Sequence, residues 1–216
     1  MKKIVLIFSL FTLVFCTKEK GTENTITNVD SVKILDSSTE EIPDSLSFKK
    51  LKINILENQN REILELLKSK NYVKFAENIH PKKGVRFSMY GYIDPKKDKL
   101  FSKKEFLKYI ETPIKFTWGE KDGTGNLLQL SLKNYLENWV FVKDFSKSEF
   151  SENSIIAKGN SINNIKEIYP NASFTENYLK GTEKYGGMDW NSLRFVFEEL
   201  NGELFIIGII NDQWTS

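Results

Sequence analysis

The stretch at residues 192–216 reads SLRFVFEELNGELFIIGIINDQWTS. Two apolar runs flank Asn201 and Gly202, the dipeptide that most readily adopts the positive φ angles of a tight hairpin turn. The run after the turn is apolar on both faces, as in a central strand that is covered on both sides. Although the first run also fits helical spacing, the turn and the β-branched second run favour strands. We therefore predict a central β-hairpin whose last strand ends at Asp212 and Trp214.

The segments before the hairpin carry both helical and strand-like patterns. Apolar residues at helical spacing predict helices near residues 53–67 and 72–79, and the capping residues Ser102 and Ser131 predict two more. Alternating patterns predict strands at residues 84–93, 116–118, 155–158 and 172–179. Helices come early and strands late, which predicts an α+β fold with a helical hairpin and further helices packed on an antiparallel sheet.

The N-terminus has the pattern of a secretory signal. Lys2 and Lys3 precede an apolar run at residues 4–15. Its helix would span about 18 Å, which is too short for a hydrocarbon core of about 30 Å. The run ends in LVFC, which resembles a bacterial lipobox and implies attachment of lipid, such as palmitate, to Cys16. An ordinary secretory signal is the alternative, because Phe15 stands where a small residue usually precedes the cysteine.

A polar segment at residues 17–47 follows the signal. It carries three lysines and seven acidic residues, a net charge of −4, and its few apolar residues are isolated. This composition predicts a disordered tether, followed by a single α+β domain at residues 48–216. The whole chain has 31 basic and 29 acidic residues, so no overall field attracts nucleic acid.

Two kinds of resemblance add to this interpretation. The stretches HPKKGVRFSMYGYI, KFTWGEKDGTG and YGGMDWNSLRFVFEELNGELFIIGIINDQWT resemble a group of bacterial secreted or lipid-anchored proteins without a known activity. The element order, carried by residues 63–79 and 192–214, is similar to the nuclear transport factor 2-like cone fold. That resemblance implies a curved sheet that wraps around the helices and an apolar cavity. Some cone proteins use the cavity for isomerase or dehydratase chemistry, whereas many only bind or dimerise, so the fold does not choose a function.

Two residues are candidates for a general base. His80, the single histidine, titrates near neutral pH, but a histidine beside Pro81 at a helix end more often caps the helix or lies on the surface. Asp212 follows an apolar strand, and a carboxylate at a cavity mouth beside Trp214 could have a raised pKa. The alternative for Asp212 is an ordinary turn at the end of a strand.

The sequence predicts neither a metal site nor a cofactor site. One histidine and no cysteine besides Cys16 do not make a zinc site. Residues 122–126 have the spacing of the first ligands of a calcium loop. Leu127 and Lys133 stand where that loop needs glycine and glutamate, so we interpret the segment as a turn.

The most specific prediction places a ligand site at the end of the final strand and in the loop before the hairpin. Counting outward from the turn brings Asp189 and Trp190 opposite residues 213–214, with allowance for one bulged residue. The candidate ligand-binding residues are Arg86, Tyr90, Trp118, Asp189, Trp190, Arg194, Asp212 and Trp214. Aromatic rings with a few polar groups suit an envelope glycan, a peptide or a small apolar ligand. The alternative is a polar cap that closes the end of the sheet.

These features favour a lipid-anchored, extracytoplasmic binding or interaction module of the bacterial cell envelope, with a secreted protein as the alternative location. A small-molecule enzyme with Asp212 or His80 as its base is the alternative function. A closed cavity with one of these groups pointing inward would favour the enzyme. Outward-facing groups around a filled core would favour the binding module. The sequence does not fix a ligand or an oligomeric state.

Overall fold

A computed structural model describes residues 45–157, 159 and 161–215, with side chains from residue 55 onward. The predicted signal peptide, the lipid attachment at Cys16 and the predicted tether up to residue 44 lie outside the described residues. Within the described part, no helix combines the length and the apolar character that crossing a membrane requires.

Five α-helices are formed by the described residues. They are α1 (Ser45–Lys68), α2 (Tyr72–Phe75), α3 (Lys103–Tyr109), α4 (Leu132–Tyr135) and α5 (Ile165–Ile168). The predicted caps are confirmed. The Ser102 side chain and the Glu105 carboxylate form a reciprocal capping box at the start of α3, and the Ser131 hydroxyl accepts from the backbone N–H of Asn134 at the start of α4.

The described part of the chain also contains eight strands, which form one large sheet and one hairpin. They are β1 (Val85–Ser88), β2 (Lys99–Phe101), β3 (Lys115–Glu120), β4 (Leu127–Ser131), β5 (Glu149–Glu152), β6 (Ser173–Leu179), β7 (Asn191–Leu200) and β8 (Glu203–Gln213). The six-stranded sheet has the order β2-β1-β8-β7-β6-β5, and β3 and β4 pair separately. The α+β class and the central hairpin are confirmed.

The prediction of a wholly antiparallel sheet is wrong, because β1 runs parallel to β8. The parallel direction of β1 results from a contact just before this strand. The backbone N–H of His80 donates to the carbonyl of Ile206 at 3.1 Å, so the chain enters the sheet at the end where β8 begins. The remaining pairs of this sheet are antiparallel, and the sheet is therefore mixed.

The hairpin register follows the prediction, including the one-residue bulge that it allowed. Leu200 pairs with Glu203 beside the turn. The register shifts by one residue at Val196, and beyond that bulge Ser192 lies opposite Asp212. This shift brings Asp212 and Arg194, which lies two residues after Ser192, to the same face of neighbouring strands.

Two predicted strands differ in the structure. The strand expected at 84–93 ends at Ser88, because the Ser88 hydroxyl lies 2.8 Å and 2.9 Å from the carbonyls of Tyr90 and Tyr92 and holds the chain in a bend. The strand expected at 155–158 is replaced by β5, which lies earlier in the chain. Residues 155–157 are irregular, because the backbone N–H groups of Ile156 and Ala157 donate to the Glu176 side chain on β6 instead of to a neighbouring strand.

The sheet buries apolar side chains on both faces. One face, which we call the helix face, packs against helices α1 to α4. Its core includes Leu56, Ile63, Phe75, Phe106, Leu132, Phe195, Phe197 and Ile209. Aromatic rings fill this space: Trp118 stacks on Tyr135 with centroids 3.6 Å apart, and Phe87 meets both rings edge-on.

The opposite face carries a smaller core and a covering segment. Its apolar side chains are Ile93, Ile165, Phe174, Val196, Ile207 and Ile210. We call the described residues 153–157, 159, 161 and 162, between β5 and α5, the strap, and we call this side of the sheet the strap face. Side chains alternate between the two faces along each strand, so β6, β7 and β8 also present Glu176, Arg194 and Asp212 on the strap face.

Candidate functional site

Three charged side chains form a buried cluster on the strap face. Arg194, Glu176 and Asp212 expose only 1%, 0% and 4% of their surface. The Arg194 Nε donates to Glu176 Oε1 at 2.8 Å, and its Nη2 donates to Asp212 Oδ2 at 2.9 Å. One guanidinium therefore joins two carboxylates from the strands on either side of β7. Its Nη1 has no hydrogen-bond partner among the described residues.

The strap is fastened to this charged cluster at two points. The backbone N–H groups of Ile156 and Ala157 donate to Glu176 Oε2. The Ser161 hydroxyl donates to Asp212 Oδ1 at 2.7 Å. Since the carboxylates are fully engaged by Arg194 and the strap, the cluster joins strands to a covering segment rather than presenting a free base.

An open groove lies beside this cluster, at the end of β8. It has a volume of about 510 Å³ and is lined by the bend after β1, the loop between β3 and β4, the end of the strap and the residue after Trp214. Its lining residues are Tyr90, Gly91, Tyr92, Glu120, Lys121, Asp122, Gly123, Gly125, Ser161, Ile162 and Thr215. We call it the tyrosine groove.

The tyrosine groove touches the charged cluster through two of its own residues. Ser161 lines the groove and binds Asp212. Gly91 lies so close to Asp212 that a Cβ atom there would stand 2.8 Å from the carboxylate oxygen Oδ2.

Tyr92 and Ile162 are 55% and 73% exposed and form the apolar part of the groove. Burial raises the pKa of Tyr90, so its hydroxyl stays neutral near neutral pH.

The loop before the hairpin does not line this groove. Trp190 is 3% exposed, lies 6.2 Å from the Tyr178 ring and packs beneath Gly159 of the strap. Asp189 is partly buried and accepts hydrogen bonds from the backbone N–H and the hydroxyl of Thr182, and the backbone hydrogen bond is the main cause that lowers its pKa. Asp189 therefore fixes its own loop, and Trp190 is a core residue of the strap face.

The remaining predicted ligand residues are spread over the domain. Trp214 is 42% exposed after the end of β8. Trp118 is buried in the core of the helix face, with its Nε1 donating to Leu130 O. Arg86 donates from Nη1 to Pro95 O at 3.0 Å. Of the eight candidates, Tyr90 lines the tyrosine groove, and Arg194 and Asp212 form the cluster behind it.

His80 is buried and serves as a structural cap. Its Nδ1 accepts from the backbone N–H groups of Lys82 and Lys83 at 3.1 Å and 3.0 Å. Because Nδ1 is an acceptor, the neutral ring carries its proton on Nε2, which lies 3.8 Å from Glu198 Oε1. The ring also meets Phe205 edge-on. His80 and Asp212 are therefore neither outward-facing nor part of the groove lining.

Asp98 is a titratable residue that the sequence did not indicate. It closes the turn between β1 and β2, where its Oδ2 accepts from the backbone N–H of Asp94 at 3.0 Å. Burial raises its pKa from the usual 3.8 to about 6, against the lowering effects of that hydrogen bond and of the nearby Arg86 charge. The sequence signal was an acidic residue shortly after the strand predicted at residues 84–93, a position typical of solvated loops.

A second missed feature is a buried polar network between α1 and the sheet. Asn60 and Asn177 exchange side-chain amide hydrogen bonds at 2.9 Å, and Thr175 donates to Asn60 Oδ1 at 2.7 Å. Asn60 did break the apolar stripe of the first helix. A polar residue inside an apolar helical stripe requires a partner across the interface. This network fixes the position of α1 on the helix face.

No metal centre is indicated: the described residues contain no group of three or more His, Cys, Asp or Glu side chains that could hold an ion. Residues 121–126 form a closed turn, in which the backbone N–H of Lys121 donates to Asn126 O at 2.8 Å. Comparison with models of known protein families and with curated protein sequences finds no match.

Proposed function

We propose that this protein is a lipid-anchored, extracytoplasmic binding module of the bacterial cell envelope, and that its ligand occupies the tyrosine groove. The observation that carries the proposal is the groove itself, where an exposed tyrosine and an exposed isoleucine stand beside the end of the central strand β8. Sites for small ligands are concave, with apolar surface and a few polar groups, and commonly have volumes of about 300–1,000 Å³.

The hydrogen bonds that the two candidate bases, His80 and Asp212, already accept favour a binding function over a catalytic one. Both oxygens of Asp212 accept hydrogen bonds, from Arg194, Ser161 and Gln213. The Nδ1 atom of His80 accepts two backbone N–H groups. A general base needs a free lone pair within hydrogen-bond reach of its substrate. Each of these acceptor atoms already binds a donor, and neither residue lines the groove.

A thermal-shift measurement tests the binding proposal. Ligand present at about 100 times its Kd stabilises the folded state by about 2.7 kcal/mol, which corresponds to about 5–10 °C for a domain of this size. Fractionated envelope glycans, peptides and small molecules are added to the protein and to its Tyr92→Ala and Ile162→Asp variants. Both side chains are exposed, so the variants keep the ligand-free Tm but lose the shift.

A matched control is available on another surface. Tyr185 is 51% exposed and lies outside the groove lining, so Tyr185→Ala should retain the full thermal shift. A ligand-induced shift that persists in both groove variants would place binding elsewhere and contradict the proposal.

The lipid anchor is proposed from Cys16 and the apolar run before it, and it needs a separate test. Cys16→Ala should abolish incorporation of labelled palmitate and move the protein from the detergent phase to the aqueous phase. Cys16→Ser keeps the size of the side chain and should behave like Cys16→Ala, because the thioether link needs sulfur. Unchanged detergent partitioning would refute the anchor and leave the secreted alternative.

We also propose that the domain belongs to the nuclear transport factor 2-like cone class. Two features support this: helices α1 to α4 pack on one face of the sheet, and the C-terminal hairpin occupies its centre. An experimental structure tests the proposal by superposition on cone-fold domains. A flat sheet, or any of the helices α1 to α4 on the strap face, would contradict it.

A further inference from the structure

We propose that the ligand of the tyrosine groove is a neutral carbohydrate chain, which stacks a sugar ring on Tyr92 and presents its hydroxyl groups to Glu120 and Lys121. This inference rests on the proposed function, because it assigns a ligand class to the same groove. Three properties of the groove support it: an exposed ring on a fixed backbone, a lining loop with hydrogen-bonded backbone N–H groups, and a lining of mixed charge.

The exposed ring of Tyr92 stands on a rigid backbone. The carbonyl of Tyr92 accepts from the Ser88 hydroxyl at 2.9 Å. The next residue, Ile93, exchanges two hydrogen bonds with the buried side chain of Asn164, at 2.8 Å and 2.9 Å. Gly91, on the other side, packs directly against the Asp212 carboxylate. Because this backbone is already fixed, a ligand that stacks on Tyr92 has to order only the side-chain torsions of that residue.

A second wall of the groove, the loop between β3 and β4, has three of its backbone N–H groups hydrogen-bonded. In the loop between β3 and β4, Lys121 N donates to Asn126 O at 2.8 Å and Gly125 N donates to Lys121 O at 2.9 Å. The N–H of Asp122 donates to the Tyr90 hydroxyl across the groove at 2.9 Å. A peptide that adds a strand needs a row of free N–H and C=O groups. This wall instead offers side chains, which suits a ligand that carries hydroxyl groups.

The charges in the groove favour a neutral ligand. Glu120, Lys121 and Asp122 follow one another along this wall, so negative and positive groups alternate. A polyanion such as a nucleic acid or a phosphate polymer needs a surface of one positive sign. Carboxylates accept hydrogen bonds from sugar hydroxyls, and an ammonium group donates to them. Ile162, on the strap, supplies apolar surface for the C–H face of a second sugar unit.

The experiment titrates the full chain, purified in detergent, with oligomers of β-1,4-linked glucose and of β-1,4-linked N-acetylglucosamine, monitored by calorimetry. A tyrosine-containing peptide mixture and a polyphosphate are the other probes. We expect at least one neutral oligosaccharide to bind. Tyr92→Ala should weaken that binding about tenfold or more, because the aromatic surface on which the sugar ring stacks is lost. Tyr92→Phe keeps the ring and should bind within about twofold of wild type.

Two further variants separate the possible outcomes. Glu120→Gln should weaken binding severalfold, whereas Tyr185→Ala should leave it unchanged. If the peptides bind, lose affinity in Tyr92→Ala, and no oligosaccharide binds, the carbohydrate assignment is overturned while the groove remains a binding site. If an oligosaccharide binds equally well to wild type, Tyr92→Ala and Glu120→Gln, the groove is not the site and both proposals fail. Preference for polyphosphate over every neutral probe would also overturn the ligand class.

Discussion

Replacing Arg194 with methionine removes the shared cation of Glu176 and Asp212, whose carboxylates are 0% and 4% exposed. Two ion pairs, of 2.8 Å and 2.9 Å, are lost in one substitution. Removing one partner of a buried pair typically costs about 3–5 kcal/mol, because a charge remains without compensation. Each carboxylate keeps other donors, so we expect Arg194→Met to lower the free energy of unfolding by about 4 kcal/mol at pH 7.

The assay is urea unfolding at pH 7, followed by tryptophan fluorescence, with a neutral variant as the matched control. In the triple variant Glu176→Gln, Arg194→Met and Asp212→Asn, no charge remains buried in the cluster. Removing all three charges also removes their desolvation penalty, which in a buried ionic cluster can exceed the Coulombic gain. The triple variant should therefore recover at least half of the loss that Arg194→Met alone causes.

Arg194→Lys separates geometry from charge. A lysine retains the positive charge but cannot donate in two fixed directions as the guanidinium does, so we expect an intermediate loss of about 2 kcal/mol. The loss in Arg194→Met should also change little between low and high salt, since buried pairs are weakly screened. A loss under about 1 kcal/mol for Arg194→Met, or a triple variant that is no more stable than the single variant, would refute this account of the cluster.

Three other substitutions test separate parts of the domain by urea unfolding. The folded protein keeps the Asp98 proton up to about pH 6, whereas the unfolded chain releases it near pH 3.8, so stability falls as pH rises through this window. Asp98→Asn should therefore stabilise the protein by about 1–3 kcal/mol at pH 7 and hardly at all at pH 3.8, and equal effects at both would contradict the burial argument. Gly91→Ala places a Cβ against Asp212 and should cost about 1–3 kcal/mol; no loss would mean that the bend relaxes freely. Phe195→Ala should cost about 3–5 kcal/mol, because Phe195 is 0% exposed, and a loss below 1 kcal/mol would show a tolerant core.

The hairpin was predictable because its signals are local. Asn201 and Gly202 sit in the turn with φ angles of 55° and 84°, the conformation that this dipeptide favours. Apolar residues on both faces of the second run correctly indicated a strand with neighbours on both sides. Counting residues outward from the turn, with one bulge allowed, also placed Arg194 near Asp212. The two residues were predicted as ligand contacts, whereas the structure shows them as a buried ion pair.

The third member of the charged cluster was missed because it depends on pairing between distant strands. Glu176 lies in the strand predicted at residues 172–179 and on the same face as the buried Phe174. An arginine in a strand with two buried faces requires an acidic partner, so Arg194 was a usable signal. Sequence periodicity does not tell which of 29 acidic residues is that partner, because the answer depends on strand order.

The parallel pairing of β1 with β8 was missed for the same kind of reason. These strands are more than one hundred residues apart in the chain. Their contact depends on where the chain that follows α2 joins the sheet, at the hydrogen bond from His80 to Ile206. The tyrosine groove is likewise built from four separate segments, whose approach depends on the strap and on Ser88. Local patterns predicted both Tyr90 and Trp118 as ligand residues. They do not show that Tyr90 lines the groove whereas Trp118 is buried in the core.

The central place of β8 has a consequence for biosynthesis. Among the strands of the described residues this one is made last, and it joins β2 and β1 on one side to β7, β6 and β5 on the other. A nascent chain that has not reached residue 203 therefore holds two strand groups that cannot unite. Long-range pairing of this kind also makes folding slow. The domain thus completes its native sheet only after residues 203–213 have left the ribosome.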